Sequence, residues 1–83
     1  MIRKQFILQI KDVVKENGLS LFLYPSSNDI RVDIVDKGYL VYSDALAIKD
    51  SLNDLEKKRE FFINSIYNYC LNKQLVNQIL NLK

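Results

Sequence analysis

Residues 29–35 (DIRVDIV) alternate strictly between polar and aliphatic side chains. That period of two confines them to a strand with one face buried and the other in water. Ile30, Val32 and Ile34 fall on the inward side, and Asp29, Arg31 and Asp33 on the outward side. Asp36-Lys37-Gly38 follows as a tight turn, since Gly38 adopts positive φ at no steric cost. Residues 39–42 (YLVY) then read as a further strand. Upstream, residues 19–24 (LSLFLY) have the composition and length of a strand, and Pro25-Ser26-Ser27-Asn28 is turn chemistry. Three strands joined by two short turns form an antiparallel meander.

Helical periodicity flanks this sheet on both sides. In residues 2–16, Ile2, Phe6, Ile10 and Val13 recur at spacings of one helical turn, with Val14 beside them, and Asn17-Gly18 supplies a left-handed stop. Lys4, Lys11 and Lys15 project to the side away from that stripe. After the sheet, Ser43 or Asp44 can cap a helix carrying Ala45, Ile48, Leu52 and Leu55 on one stripe, and Asn53 or Asp54 can restart a second. Two helices are expected over residues 44–72, the second continuing the stripe through Phe62, Ile63, Ile66, Tyr69 and Cys70. Arg59 falls inside that stripe, where its stem packs and its head reaches water.

The last segment changes character. Leu71, Leu75, Ile79 and Leu82 form a stripe on the side opposite Phe62 and Ile66. Either the chain breaks near Asn72-Lys73 and a last helix folds back, or one helix carries two apolar faces and meets a partner chain. The expected fold is therefore α+β and a single domain over residues 1–83: an N-terminal helix, a three-stranded antiparallel meander, then two to three C-terminal helices. The expected core is Ile2, Phe6, Ile10, Val13, Leu21, Ile30, Val32, Ile34, Leu40, Leu52, Phe62, Ile66 and Tyr69.

Composition excludes most catalytic designs. The 83 residues contain no histidine and one cysteine, Cys70, so neither a Ser-His-Asp arrangement nor a zinc site nor a disulfide framework can be assembled. Gly18 and Gly38 stand alone, so no phosphate-cradling loop exists. A restriction-type nuclease needs an acidic-x-Lys strand, but Asp36-Lys37 lacks the spacer and Glu56-Lys57-Lys58 lies on an expected helix. No catalytic residue, metal site or cofactor is expected. The lone cysteine, the lack of a secretory h-region and the lack of a long apolar run lead to the expectation of a cytoplasmic protein with no membrane segment.

Three groups of residues remain as candidate contact surfaces. Asp29, Arg31, Asp33 and Asp36, with Tyr24 and Tyr42, are the expected partner-binding face. Lys4, Lys11 and Lys15 form a basic stripe suited to phosphate or an acidic partner. The stripe Leu71, Leu75, Ile79 and Leu82 is an expected oligomer seam, because no acidic residue follows Glu60 and the polar positions there are mostly Asn and Gln. Charge-poor, Tyr- and Phe-containing surfaces are typical of interfaces, and the seam leans toward a homodimer.

Residues 29–44 (DIRVDIVDKGYLVYSD), continued by residues 52–69, resemble a family of small bacterial and phage-associated domains of unknown function. Its members carry a similar hairpin and a "YLLTD"-like third strand, at the position of Tyr39-Leu40-Val41-Tyr42-Ser43-Asp44; they usually continue Asp-Gly where this chain has Asp44-Ala45. In size and element order the chain is also similar to small anti-CRISPR proteins, which occupy nuclease surfaces, often with acidic groups that mimic DNA. The missing histidine, Gly-rich loop and metal spacing lead to the expectation of a non-enzymatic protein-binding module, and the anti-CRISPR similarity implies an inhibitor of a host defence nuclease such as a CRISPR-associated one. Asp29, Asp33 and Asp36 would supply the acidic group. The alternative reading is a nucleic-acid-binding module that uses the Lys4, Lys11 and Lys15 stripe.

Overall fold

The computed structural model describes the backbone of residues 2–81 and the side chains of residues 3–81. The core position expected of Ile2 and the seam position expected of Leu82 lie outside the described residues. The element order is α1 (Ile2–Glu16), β1 (Ser20–Pro25), β2 (Asp29–Asp36), β3 (Tyr39–Ala47) and α2 (Leu52–Leu80). The strands form an antiparallel sheet in the order β1-β2-β3, and both helices lie on one face of it.

The alternation of β2 sets the inward face. Val32 and Ile34 are fully buried, and their neighbours across the sheet include Leu21 and Leu23 on β1 and Tyr42 on β3. Phe6, Ile7, Ile10 and Val14 close over them from α1, and Leu55, Phe62 and Ile66 from α2. The Tyr42 ring meets Phe62 edge-on at 4.9 Å. Burial, and after it the nearby Asp44 carboxylate, pushes the Tyr42 hydroxyl above its ordinary pKa. Arg59 behaves as its stripe position implies: its guanidinium lies 4.8 Å over the Phe6 ring and donates to Gln9 Oε1 at 2.6 Å, joining the two helices.

Two expectations about helices are corrected. The region after Tyr42 stays extended to Ala47, so Ser43, Asp44 and Ala45 belong to β3 and Leu46 is a fully buried strand residue. The helix starts later, behind Ser51, whose side chain accepts from the Asp54 amide while the Asp54 carboxylate accepts from the Ser51 amide. This reciprocal capping box fixes the start. From there α2 runs 29 residues without interruption, so neither the restart at Asn53 nor the break at Asn72-Lys73 occurs, and one C-terminal helix replaces two to three.

Two core expectations fail for related reasons. Leu52 is the first residue of α2 and is 54% exposed, because the helix begins there instead of passing through. Leu40 is 52% exposed. Ile34 opposes Tyr42 but Val35 opposes Leu40, so Val41 is the extra residue of a β-bulge. Beyond the bulge the two faces exchange, and Leu40 turns outward.

Candidate functional site

The titratable clusters are structural in character. Asp36, at the end of β2, is buried against α2, where its Oδ2 accepts from Tyr69 Oη at 2.6 Å and from Lys73 Nζ at 2.8 Å. The Lys73 hydrogen bond, and next that of Tyr69, hold the Asp36 carboxyl below its ordinary range, and Asp36 in turn pushes both Tyr69 and Lys73 up. Each group is thereby moved away from neutrality, the reverse of what a general acid or base working near pH 7 requires. Asp50 follows the same pattern. Burial pushes its pKa up, but Lys58 Nζ at 2.7 Å and the Ala47 amide at 2.8 Å bring it down on balance. Lys58 also donates to the Ala45 carbonyl at 2.6 Å, closing the connection between β3 and α2.

The expected partner-binding residues divide between the two faces of the sheet. Tyr24, Arg31 and Asp33 stand on the face that no helix covers, where the Arg31 guanidinium lies 4.5 Å over the Tyr24 ring and pairs with Asp33 at 3.2 Å. The ion pair runs along β2, and the cross-strand partner of Asp33 is the Ser43 hydroxyl. Asp29 is drawn into the turn by Ser26. Asp36 and Tyr42 point to the helical side and do not join this group. Phe22 and Leu40, which were not expected there, are also exposed on the bare face.

A second surface is the end of α2. Every residue over 71–81 is exposed, including Leu71, Leu75, Val76, Ile79 and Leu80. Leu71, Leu75 and Ile79 continue the outward row that begins at Phe61, while Val76 and Leu80 prolong the inward row of Phe62, Ile66 and Lys73 past the sheet. The tip thus carries one broad apolar side, wider than a single stripe, with Lys73, Gln74, Asn77 and Gln78 on the remaining side.

The third surface is a groove of about 570 Å³ between α1 and β1. Leu8 from α1, with Leu21 and Leu23 from β1 and Ile30 behind them, gives it an aliphatic floor. Arg3, Lys4, Lys11 and Lys15 stand at its margin, and no acidic residue lines it. The three lysines therefore flank the apolar stripe of α1 instead of opposing it, with Leu8 between them. Sequence reading missed the groove because Leu8 lies off the main stripe and a strand's edge is not marked by composition.

Among the described residues no three His, Cys, Asp or Glu side chains come together as a metal site, and no helix is long and apolar enough to cross a membrane. Comparison with protein-family models, with curated proteins and with solved structures finds no match to this chain. The likeness to small phage-associated domains thus rests on the residues quoted for it.

Proposed function

We propose that this protein is a non-enzymatic protein-binding module that works by presenting apolar surface, with a second copy of the chain as the occupant of its C-terminal seam. The observation that carries the reading is the end of α2, where Leu71, Leu75, Val76, Ile79 and Leu80 are all exposed. Contiguous exposed apolar surface of this kind marks interaction sites. Pairing with a second copy meets no charge repulsion there, because Lys73 is the one charged residue over 61–81 and it is engaged by Asp36. The bare sheet face with Phe22, Tyr24, Leu40 and Arg31 gives a further place for a different protein. Inhibition of a defence nuclease, the narrower reading, draws its support from the similarity in size and element order to small anti-CRISPR proteins.

The test joins sedimentation to capture. Wild type at micromolar concentration sediments as a dimer, and Leu75→Asp/Ile79→Asp gives a folded monomer, since neither residue is buried in one copy. Immobilised wild type retains a defined host protein and little free nucleic acid. A wild type that stays near 9.7 kDa, captures no protein and retards DNA with a steep salt dependence overturns the reading in favour of nucleic-acid binding through Lys4, Lys11 and Lys15.

A further inference from the structure

We infer that the groove between α1 and β1 receives an acidic, leucine-rich amphipathic helix of a partner protein, a statement that rests on the protein-binding reading above and names the chemistry of what is bound. Leu8, Leu21 and Leu23 offer aliphatic surface, Leu8 and Leu23 being 47% and 43% exposed. Beside them Lys4, Lys11 and Lys15 recur at spacings of seven and four residues, a row about 16 Å long at 1.5 Å per residue. None of the three has an ion-pair partner among the described residues. A docking carboxylate therefore displaces water and breaks no existing pair.

The distribution of charge selects the occupant. A single-headed lipid would neutralise one end of the row and leave the other cations beside its chain. A nucleic-acid duplex would supply the charge but no apolar surface for the leucines, and the groove has no aromatic ring on which to stack a base. The exposed end of a second copy's α2 would bring leucines without carboxylates, because no acidic residue follows Glu60. A helix with Leu on one face and Glu or Asp every one or two turns along the margin satisfies both requirements. Lying alongside α1, it becomes a third helix on the inner face of the sheet, the helix-in-groove mode of recognition.

The probe is a labelled synthetic helix of about 16 residues, long enough for the groove, with a leucine face flanked by glutamates. Its control carries lysine in place of every glutamate. Fluorescence anisotropy at low salt should show the glutamate peptide binding about tenfold more tightly, an advantage that shrinks as salt screens the row. Lys11→Glu/Lys15→Glu should reverse the preference, and Leu8→Asp/Leu23→Asp should weaken both peptides. All four side chains are exposed, and circular dichroism checks that the variants stay folded. Equal affinity for the two peptides, no binding of either, or a preference that charge reversal leaves unchanged overturns the inference. So does binding of laurate or of a DNA duplex with no binding of the glutamate peptide. A groove that fails while the end of α2 still captures protein removes this inference and keeps the protein-binding reading.

Discussion

The Tyr69 hydroxyl donates to the Asp36 carboxylate at 2.6 Å, tying the middle of α2 to the last residue of β2. Lys73 reaches the same oxygen, and the Tyr69 ring stacks on Tyr39 at 5.7 Å, so one carboxylate anchors the long helix to the second hairpin. Because Asp36 titrates below its ordinary value, folding favours its ionised form. The stability it contributes is complete above its unfolded pKa, about 3.9, and is lost as pH falls through the lower folded value. Tyr69 and Lys73 are both raised. Their contribution is complete below their unfolded values, about 10, and is lost as pH rises through the folded ones. The melting temperature should therefore hold level between about pH 5 and 9 and fall on either side. Asp36→Asn should lower that plateau and make the acid limb shallower, with Asp50 supplying what remains. Parallel acid limbs for the two proteins in thermal denaturation would refute the assignment.

Ser51 and Asp54 satisfy each other's backbone amides at 3.1 Å and set the first turn of α2. Removing an N-cap side chain typically costs about 1 kcal/mol. Ser51→Ala should lower the unfolding free energy by that amount, read as a lower urea midpoint at an unchanged slope, while Ser51→Asp should keep wild-type stability. An unaltered midpoint for Ser51→Ala shows that the cap is not needed.

Lys37 and Gly38 both have positive φ, 50° and 87°, and Asp36 pairs with Tyr39 across them. This is the two-residue hairpin loop whose twist suits the strands, and it favours Asn-Gly over Lys-Gly. Lys37→Asn should raise stability by a few tenths of a kcal/mol, about what relief of one left-handed non-glycine residue gives. Gly38→Ala should lower it by about 1 kcal/mol, although nothing lies within 4 Å of the added carbon, because the backbone alone is strained. Equal stability of Gly38→Ala and wild type in denaturant titration contradicts a left-handed Gly38.

The meander was legible because β2 repeats with period two and its turns carry Pro, Asn and Gly, which are local signals. Phe6, Ile10, Phe62 and Ile66 were legible because helical periodicity places them on one side of their helices. What was not legible depended on distant contacts. Residues 43–47 carry a plausible cap and an apolar spacing that suits either state, and pairing with 29–33 decides for the strand. The bulge at Val41 inverts Leu40 without any Gly or Pro to mark it. Asp36 looked like one of three outward aspartates, yet alternation from Ile34 already puts it on the inward side, where Tyr69 and Lys73 wait more than thirty residues away. The groove arises from how far α1 covers β1, a quantity that neither element encodes alone.

The exposed end of α2 leads to a last prediction, on amide exchange. Past Lys73 the helix gains almost nothing from the rest of the molecule, and a helical segment of fewer than about 12 residues is marginal in water without tertiary support. In dilute solution the amides of residues 75–80 should therefore exchange far faster than those around Phe62 and Ile66, which open only with larger unfolding. If the seam pairs with a second copy, raising the concentration through the dimerisation range should slow exchange at residues 71–80 and leave the core of one protomer unaffected, since binding stabilises only what it contacts. Leu75→Asp should abolish that concentration dependence without exposing Phe62. Exchange at 71–80 that is slow even at high dilution would mean that the segment is held within one protomer, and exchange that stays fast at every concentration would remove the second copy as its occupant.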